Sequence, residues 1–189
     1  MGKLIMWNLV SVDGYFEGTK PWALEWFHHR VQGEALVHIL EQLRTADMLI
    51  FGRKTYEGMF DYWQNATGDI AGLMNALPKV VFSRTLDRAD WNNTRLVSTD
   101  PAPAVAGLKA QVKGNILIFG SAELSTALIE AELFDEYRLG LTPVLLGRGR
   151  PLFAPSAKKL ELTLLEARPI SDGMFLLRYA PEARLSAQT

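Results

Sequence analysis

Short apolar runs alternate along this chain with stretches in which apolar residues recur every three or four positions, and most of the runs end on glycine or a small polar residue. The clearest junction is Ile116-Leu117-Ile118-Phe119, which breaks at Gly120-Ser121 and gives way to Leu124, Leu128, Ile129 and Leu133 at helical spacing. This pattern predicts a strand, a tight turn and a helix start. A buried first strand is expected over 3–10, closed by Ser11-Val12-Asp13-Gly14, with Asp13-Gly14 as a turn signal. Residues 21–29 predict a short helix with Pro21 in its first turn, and Val31, Ala35, Leu36, Ile39, Leu40 and Leu43 predict a second. Met48-Leu49-Ile50-Phe51 reads as a strand ended by Gly52-Arg53-Lys54-Thr55 and another helix start. Lys79-Val80-Val81-Phe82 reads as a strand ended by Ser83-Arg84-Thr85, and Arg95-Leu96-Val97 as a short one. A helix is expected over 104–112, preceded by Pro101 and Pro103, and a strand over 136–142.

The last third changes character. Residues 160–167 and 173–179 read as two strands joined by Arg168-Pro169-Ile170-Ser171-Asp172, an antiparallel pair added to an otherwise parallel sheet. Beyond residue 180 the apolar content falls away, so 1–180 is expected as one domain and 181–189 as a tail. The fold class is α/β with a mixed, mostly parallel sheet.

Composition narrows this picture without replacing it. A chain of 189 residues, 48% hydrophobic and 22% charged, suits one folded domain. A net charge of -1 argues against nucleic-acid binding through bulk positive charge. The lack of cysteine excludes disulfides, thiol catalysis and cysteine metal sites, and is consistent with a cytoplasmic setting. The first apolar run is too short for a membrane span, so no membrane partner is expected.

Chemistry collects at the strand ends. In open α/β sheets ligands sit beyond the carboxyl ends of parallel strands, and a strand–turn–helix junction aims backbone N–H groups and a helix dipole at an anion. Two such turns, at Gly52 and Gly120, could clasp the phosphates of a dinucleotide, with Arg53 and Arg84 reaching a further phosphate. Each turn alone is also compatible with simple chain reversal. His28 and His29 diverge on a helix and read as solvated, and His38 as a boundary residue. Trp7, Trp22, Trp26 and Trp63 read as core or interface. Arg148 and Arg150, flanking Gly149, read as a solvated turn.

Taken in order, these segments resemble the dihydrofolate reductase superfamily, most closely its branch related to the reductase domain of bifunctional riboflavin-biosynthesis deaminase-reductases. The resemblance is carried by Ser11-Val12-Asp13-Gly14, by Ala46-Asp47 through Gly52-Arg53-Lys54-Thr55-Tyr56-Glu57, and by Lys79-Val80-Val81-Phe82-Ser83-Arg84-Thr85-Leu86. It continues through Phe119-Gly120-Ser121-Ala122-Glu123-Leu124, Leu133-Phe134-Asp135-Glu136-Tyr137-Arg138-Leu139 and Pro143-Val144-Leu145-Leu146-Gly147-Arg148-Gly149.

The resemblance implies a dihydrofolate-reductase-like three-layer fold, NADPH as cofactor and a homodimer. Gly52, Arg53, Lys54 and Thr55 match the segment that holds the cofactor's phosphates, and Ser83 and Arg84 the segment beside the adenosine and its 2′-phosphate. Gly120, Ser121, Ala122, Glu123 and Leu124 match the turn under the pyrophosphate, where the family usually has two glycines. Ser121 Oγ is available to cap the helix or bind phosphate. On the substrate side, counting from Trp22 puts the folate enzymes' buried carboxylate at Phe27, and Trp7 stands at the riboflavin branch's lysine. Asp13 and Glu25 are therefore the candidate proton donors, with Glu17 or water as others. Trp22, Tyr56 and Thr142 are the candidate substrate-binding residues. No metal is implied. The expected function is NADPH-dependent reduction of a small heterocycle, with a pyrimidine ribosylamine of riboflavin synthesis as the named substrate. The alternatives are dihydrofolate reduction and a non-catalytic NADPH sensor.

Overall fold

The computed structural model describes residues 1–155, 159–170 and 173–186, with 185 and 186 described by backbone alone. Strands β1 (Lys3–Ser11), β3 (Ala46–Gly52), β4 (Lys79–Phe82), β5 (Thr94–Val97), β6 (Asn115–Ile118) and β7 (Glu136–Thr142) form the parallel part of an eight-stranded sheet. Strands β10 (Phe175–Pro181) and β9 (Leu162–Pro169) extend it antiparallel, giving the order β5-β4-β3-β6-β1-β7-β10-β9. A separate ribbon pairs β2 (Tyr15–Glu17) with β8 (Arg150–Pro151). The mixed sheet and its terminal antiparallel pair agree with the pattern of the sequence. Residues 171–172 of the expected connection lie outside the described residues.

The central strands are continuous apolar runs because both faces are covered. Leu4, Met6, Ile50, Ile116 and Ile118 pack under α5 (Pro101–Gln111) and α6 (Ala122–Glu130). Ile5, Leu49, Phe51 and Leu117 pack on the other face, under α2 (Gly33–Arg44), α3 (Arg53–Trp63) and α4 (Asp69–Ala76). The strands β3 and β6 are neighbours, yet the helices that follow them, α3 and α6, lie on opposite faces. That divergence opens a crevice at the strands' carboxyl ends, the place where such sheets bind ligands.

Several elements differ from the pattern-based expectation. The helix at 21–29 is only one turn, α1 (Glu25–His28), because Trp22 adopts a left-handed φ of 62°. Pro101 and Pro103 lie inside the first turn of α5, where their missing N–H groups cost no hydrogen bond, and Asp100 caps that turn through Ala102 N–H. Helix α4 and the β2–β8 ribbon are additional. Residues 182–186, expected within a tail, form a short helix, α7 (Glu182–Ser186), with Arg184 donating to the carbonyl of Glu132.

His38 is buried rather than at a boundary, and it belongs to a polar layer between α2 and the β7–β10–β9 end of the sheet. There Glu136 accepts from Arg138 Nε at 2.7 Å and Arg178 Nε at 2.6 Å, Arg178 donates on to Glu166, and Arg138 also donates to Gln42. Burial, with Arg168 close by, holds the His38 imidazole below its ordinary pKa, which favours its neutral form. On the opposite face of β10 and β9 the side chains are apolar, and Leu162, Leu164 and Phe175 are exposed. No helix among the described residues is long and apolar enough to cross a membrane.

Candidate functional site

The crevice between α3 and α6 holds a cleft of about 410 Å³. Its floor comes from Gly52, Arg53, Lys54 and Thr55 after β3, and from Ser121, Ala122, Glu123 and Leu124 after β6. Its far wall comes from Ser83, Arg84 and Thr85 after β4. Ten of the eleven residues expected at a cofactor thus line one cavity, and Gly120 lies directly behind Ser121. Phe82, Thr99, Pro101, Ala127 and Arg150 complete it and were not among those expected.

The local backbone explains why this floor attracts anions. Neither α3 nor α6 has a side-chain cap at its amino end. The two helix starts are tied together instead. Gly52 N–H donates to Ser121 Oγ at 3.1 Å, and Ser121 N–H donates to Thr55 Oγ1 at 2.8 Å. Ser121 therefore does not cap α6, a correction to one expectation for its hydroxyl. Gly120 and Ser121 both have left-handed φ, 59° and 46°. For serine that conformation costs about 1–2 kcal/mol, offset by the two hydrogen bonds. At Gly120 a side chain would be strained by the left-handed φ and its Cβ would meet Thr55 Cγ2 tightly, at 3.0 Å. Its N–H donates to Asn8 Oδ1 at 2.7 Å. Asn8, missed as a site residue, was visible as the one amide side chain in an apolar first strand.

With the turn's own N–H groups engaged, the first N–H groups of both helices remain to meet a ligand. Backbone donors at two uncapped, converging helix starts act together with their dipoles. Replacing Thr55 by valine should leave the Ser121 N–H unpaired and cost about 1–3 kcal/mol of stability. Thermal or denaturant unfolding of Thr55→Val against Thr55→Ser checks this, the serine variant keeping the acceptor and near wild-type stability.

Charge at the cleft is largely internal. Arg53 pairs with Glu57 at 3.0 Å, Lys54 with Glu123 at 3.0 Å, and Arg150 with Glu123 at 2.7 Å. The hydrogen bond from Lys54, reinforced by the charge of Arg150, holds the Glu123 carboxyl below its ordinary pKa against its partial burial. Arg84 is exposed and makes no ion pair with any described residue. Ser83 Oγ accepts from the N–H groups of Thr85 and Leu86, which fixes the turn that presents Arg84.

The expected substrate side is not assembled in this way. Asp13 accepts from Ser11 Oγ at 2.7 Å, Gly147 N–H at 2.7 Å and Leu146 N–H at 3.1 Å. The Ser11 hydroxyl, with the two backbone donors, lowers its pKa despite some desolvation. Asp13 is thus an ionised clamp on the 146–147 loop and not poised as an acid. Glu25 is exposed on α1 and forms no ion pair with a described residue. Tyr56 is buried in the core, with its hydroxyl accepting from Trp91 N–H at 3.0 Å, and Thr142 is fully buried at the end of β7. Neither side chain lines the cleft in this structure. Trp22 is exposed. Its indole covers Gly58 of α3, where a Cβ would fall 2.0 Å from the ring, and the backbone N–H of Trp22 donates to Glu17. No group of three metal-ligating side chains occurs among the described residues.

The sequence from residue 2 to 176 matches the family described as the RibD C-terminal domain. The uncharacterized protein YyaP of Bacillus subtilis (strain 168) is 28% identical over 186 residues, which covers 94% of each chain. Among solved structures, a protein from Shewanella sp. PV-4 named for riboflavin biosynthesis superposes with a TM-score of 0.76 at 22% identity, covering 95% of this chain and 99% of the other. The dihydrofolate reductase of Enterococcus faecalis, complexed with NADP(H), superposes with a TM-score of 0.62 at 14% identity, covering 95% and 96%. The fold is therefore dihydrofolate-reductase-like, and the chain belongs to the RibD C-terminal domain family, whose members are reductase-like.

Proposed function

We propose that this protein is an NADPH-dependent reductase that binds its cofactor across the α3–α6 cleft. The observation that carries this reading is the convergence of two uncapped helix starts with Arg53, Lys54, Arg84 and Arg150 around one cavity. The donor set fits a dinucleotide bearing an extra phosphate: free helical N–H groups for the pyrophosphate, and an unpaired arginine on the opposite wall for the 2′-phosphate. The solved relative with NADP(H) shares the fold, which supports the same assignment.

Bound here, NADPH would supply the hydride, and the protein supplies orientation and the exclusion of water. Asn8 and Thr55 hold the 120–121 turn so that the first N–H groups of α6 face the cleft. The ionised clamp of Asp13 on residues 146–147 fixes the loop that leads to Arg150. The substrate reading is reduction of a pyrimidine ribosylamine of the kind used in riboflavin synthesis. It rests on membership of the RibD C-terminal domain family. Phe27, half-buried where a folate reductase needs its carboxylate, disfavours dihydrofolate. The test is NADPH oxidation followed spectrophotometrically with the pyrimidine ribosylamine and, separately, with dihydrofolate. Turnover of the first alone is expected. Turnover of dihydrofolate alone would overturn the substrate reading, and failure to bind NADPH would overturn the cofactor reading.

We also propose a homodimer built on the uncovered apolar face of β9 and β10. An exposed cluster of Leu162, Leu164 and Phe175 beside an edge strand invites pairing. Sedimentation of Leu164→Glu should show monomer where the unmodified protein shows dimer. An unmodified protein that sediments as a monomer would remove the proposal.

A further inference from the structure

One carboxylate sits among the cleft's cations where a cofactor phosphate would have to be neutralised. Glu123 is the second residue of α6, so its side chain leaves from the same helix turn whose free N–H groups face the cleft. A single oxygen of it accepts from Lys54 Nζ at 3.0 Å and Arg150 Nη2 at 2.7 Å. Those two cations come from elements far apart in sequence, α3 and β8. Arg150 in turn lies 3.7 Å from Glu17, which accepts the N–H of Trp22, so the contact joins the cleft floor to the β2–β8 ribbon.

We infer that Glu123 is an internal counter-anion that holds Lys54 and Arg150 in place of a phosphate, and that it competes with the dinucleotide for them. The inference rests on the NADPH reading of the same cleft. A carboxylate and a phosphate both accept forked or point-charge hydrogen bonds from these cations, so the two exchange partners without new geometry. Like charge makes them exclusive. An ionised Glu123 left in the helix's first turn would face the phosphate across the dipole end that both prefer. Because the carboxylate is largely exposed, each of its ion pairs is weak, and giving them up in favour of a multiply charged ligand is readily reversible. Glu123 thus sets how tightly the cleft takes its cofactor without touching the reacting atoms.

The test is the dissociation constant for NADPH of Glu123→Gln, measured by calorimetric titration beside the unmodified protein. The amide keeps the size of the side chain and removes the competing charge. Binding about three- to tenfold tighter is expected. Glu130→Gln, at the other end of α6 and outside the cleft, removes the same charge from the helix and should bind as the unmodified protein does. Equal or weaker binding by Glu123→Gln would overturn the inference, as would an equal gain in Glu130→Gln. Were NADPH to bind none of the proteins, the cofactor reading would fail. Inorganic pyrophosphate, titrated in the same way, would then still decide the matter. Tighter binding by Glu123→Gln supports the inference, and equal binding or none overturns it.

Discussion

Exchanging Glu136 for glutamine is expected to destabilise the fold by about 3–5 kcal/mol, the largest effect of any single substitution considered. The Glu136 side chain is 5% exposed and accepts hydrogen bonds from both Arg138 and Arg178. Arg178 keeps Glu166 as a partner and reaches solvent, but Arg138 is almost fully covered and keeps only Gln42 among the described residues. The substitution leaves a guanidinium in the interior without a counter-charge, and that unpaired charge is the source of the cost. The pH dependence follows from the same contacts. Burial would raise the Glu136 pKa, yet the hydrogen bonds and charges of the two arginines outweigh it, and the net shift is downward from 4.5. A lowered folded pKa contributes stability that is present above the unfolded value and is lost as pH falls through the folded one. Glu136→Gln should therefore unfold at lower urea with an unchanged slope, and should lack part of the acid destabilisation below about pH 4.5. A loss under about 1 kcal/mol would mean that the polar layer does not hold α2 to the sheet.

The second large effect concerns Arg84. The other three cations of the cleft already have carboxylate partners, whereas Arg84 is presented by the Ser83 turn with none among the described residues. An unpaired guanidinium gives up nothing to receive a phosphate, and its fork matches two phosphate oxygens. A charge-assisted contact of this kind contributes about 1.5–3 kcal/mol, equivalent to about 10- to 100-fold in affinity. Arg84→Ala should weaken NADPH binding by that factor and leave NADH binding within about twofold. Equal losses for both nucleotides would mean that Arg84 contacts the shared pyrophosphate or supports the cleft wall instead.

What the chain's pattern revealed and what it concealed have physical reasons. The strands β1, β3, β4 and β6 are mostly apolar on both faces and end at or just before glycine or serine, so their existence and the polar turns at their ends are local properties of the sequence. The residues that line the cleft could be read because they sit at those ends. The β2–β8 ribbon could not, since its strands are two and three residues long and are brought together from opposite ends of the chain. The polar layer under α2 was equally hidden. His38 reads as a boundary residue and Gln42 gives no signal of burial, and only the arrival of Arg138, 96 positions away from Gln42, makes their burial tolerable. Helix α4 is short, carries Gly72 and starts at an uncapped Gly68 with φ of 99°, so it offers few start signals. Asp13, Tyr56 and Thr142 show the limit on the site itself. Residue type marked them as chemically able, but whether a loop, a core or a ligand receives them depends on contacts far along the chain.

If one dinucleotide spans the two helix starts and the Arg84 wall, as proposed, a crystal structure determined with NADPH will show it. The pyrophosphate is expected at the N–H groups of Ala122, Glu123 and Leu124, with the 2′-phosphate against Arg84. Cofactor seated elsewhere on the protein, or bound with its phosphates turned away from α6 and Arg84, would contradict it.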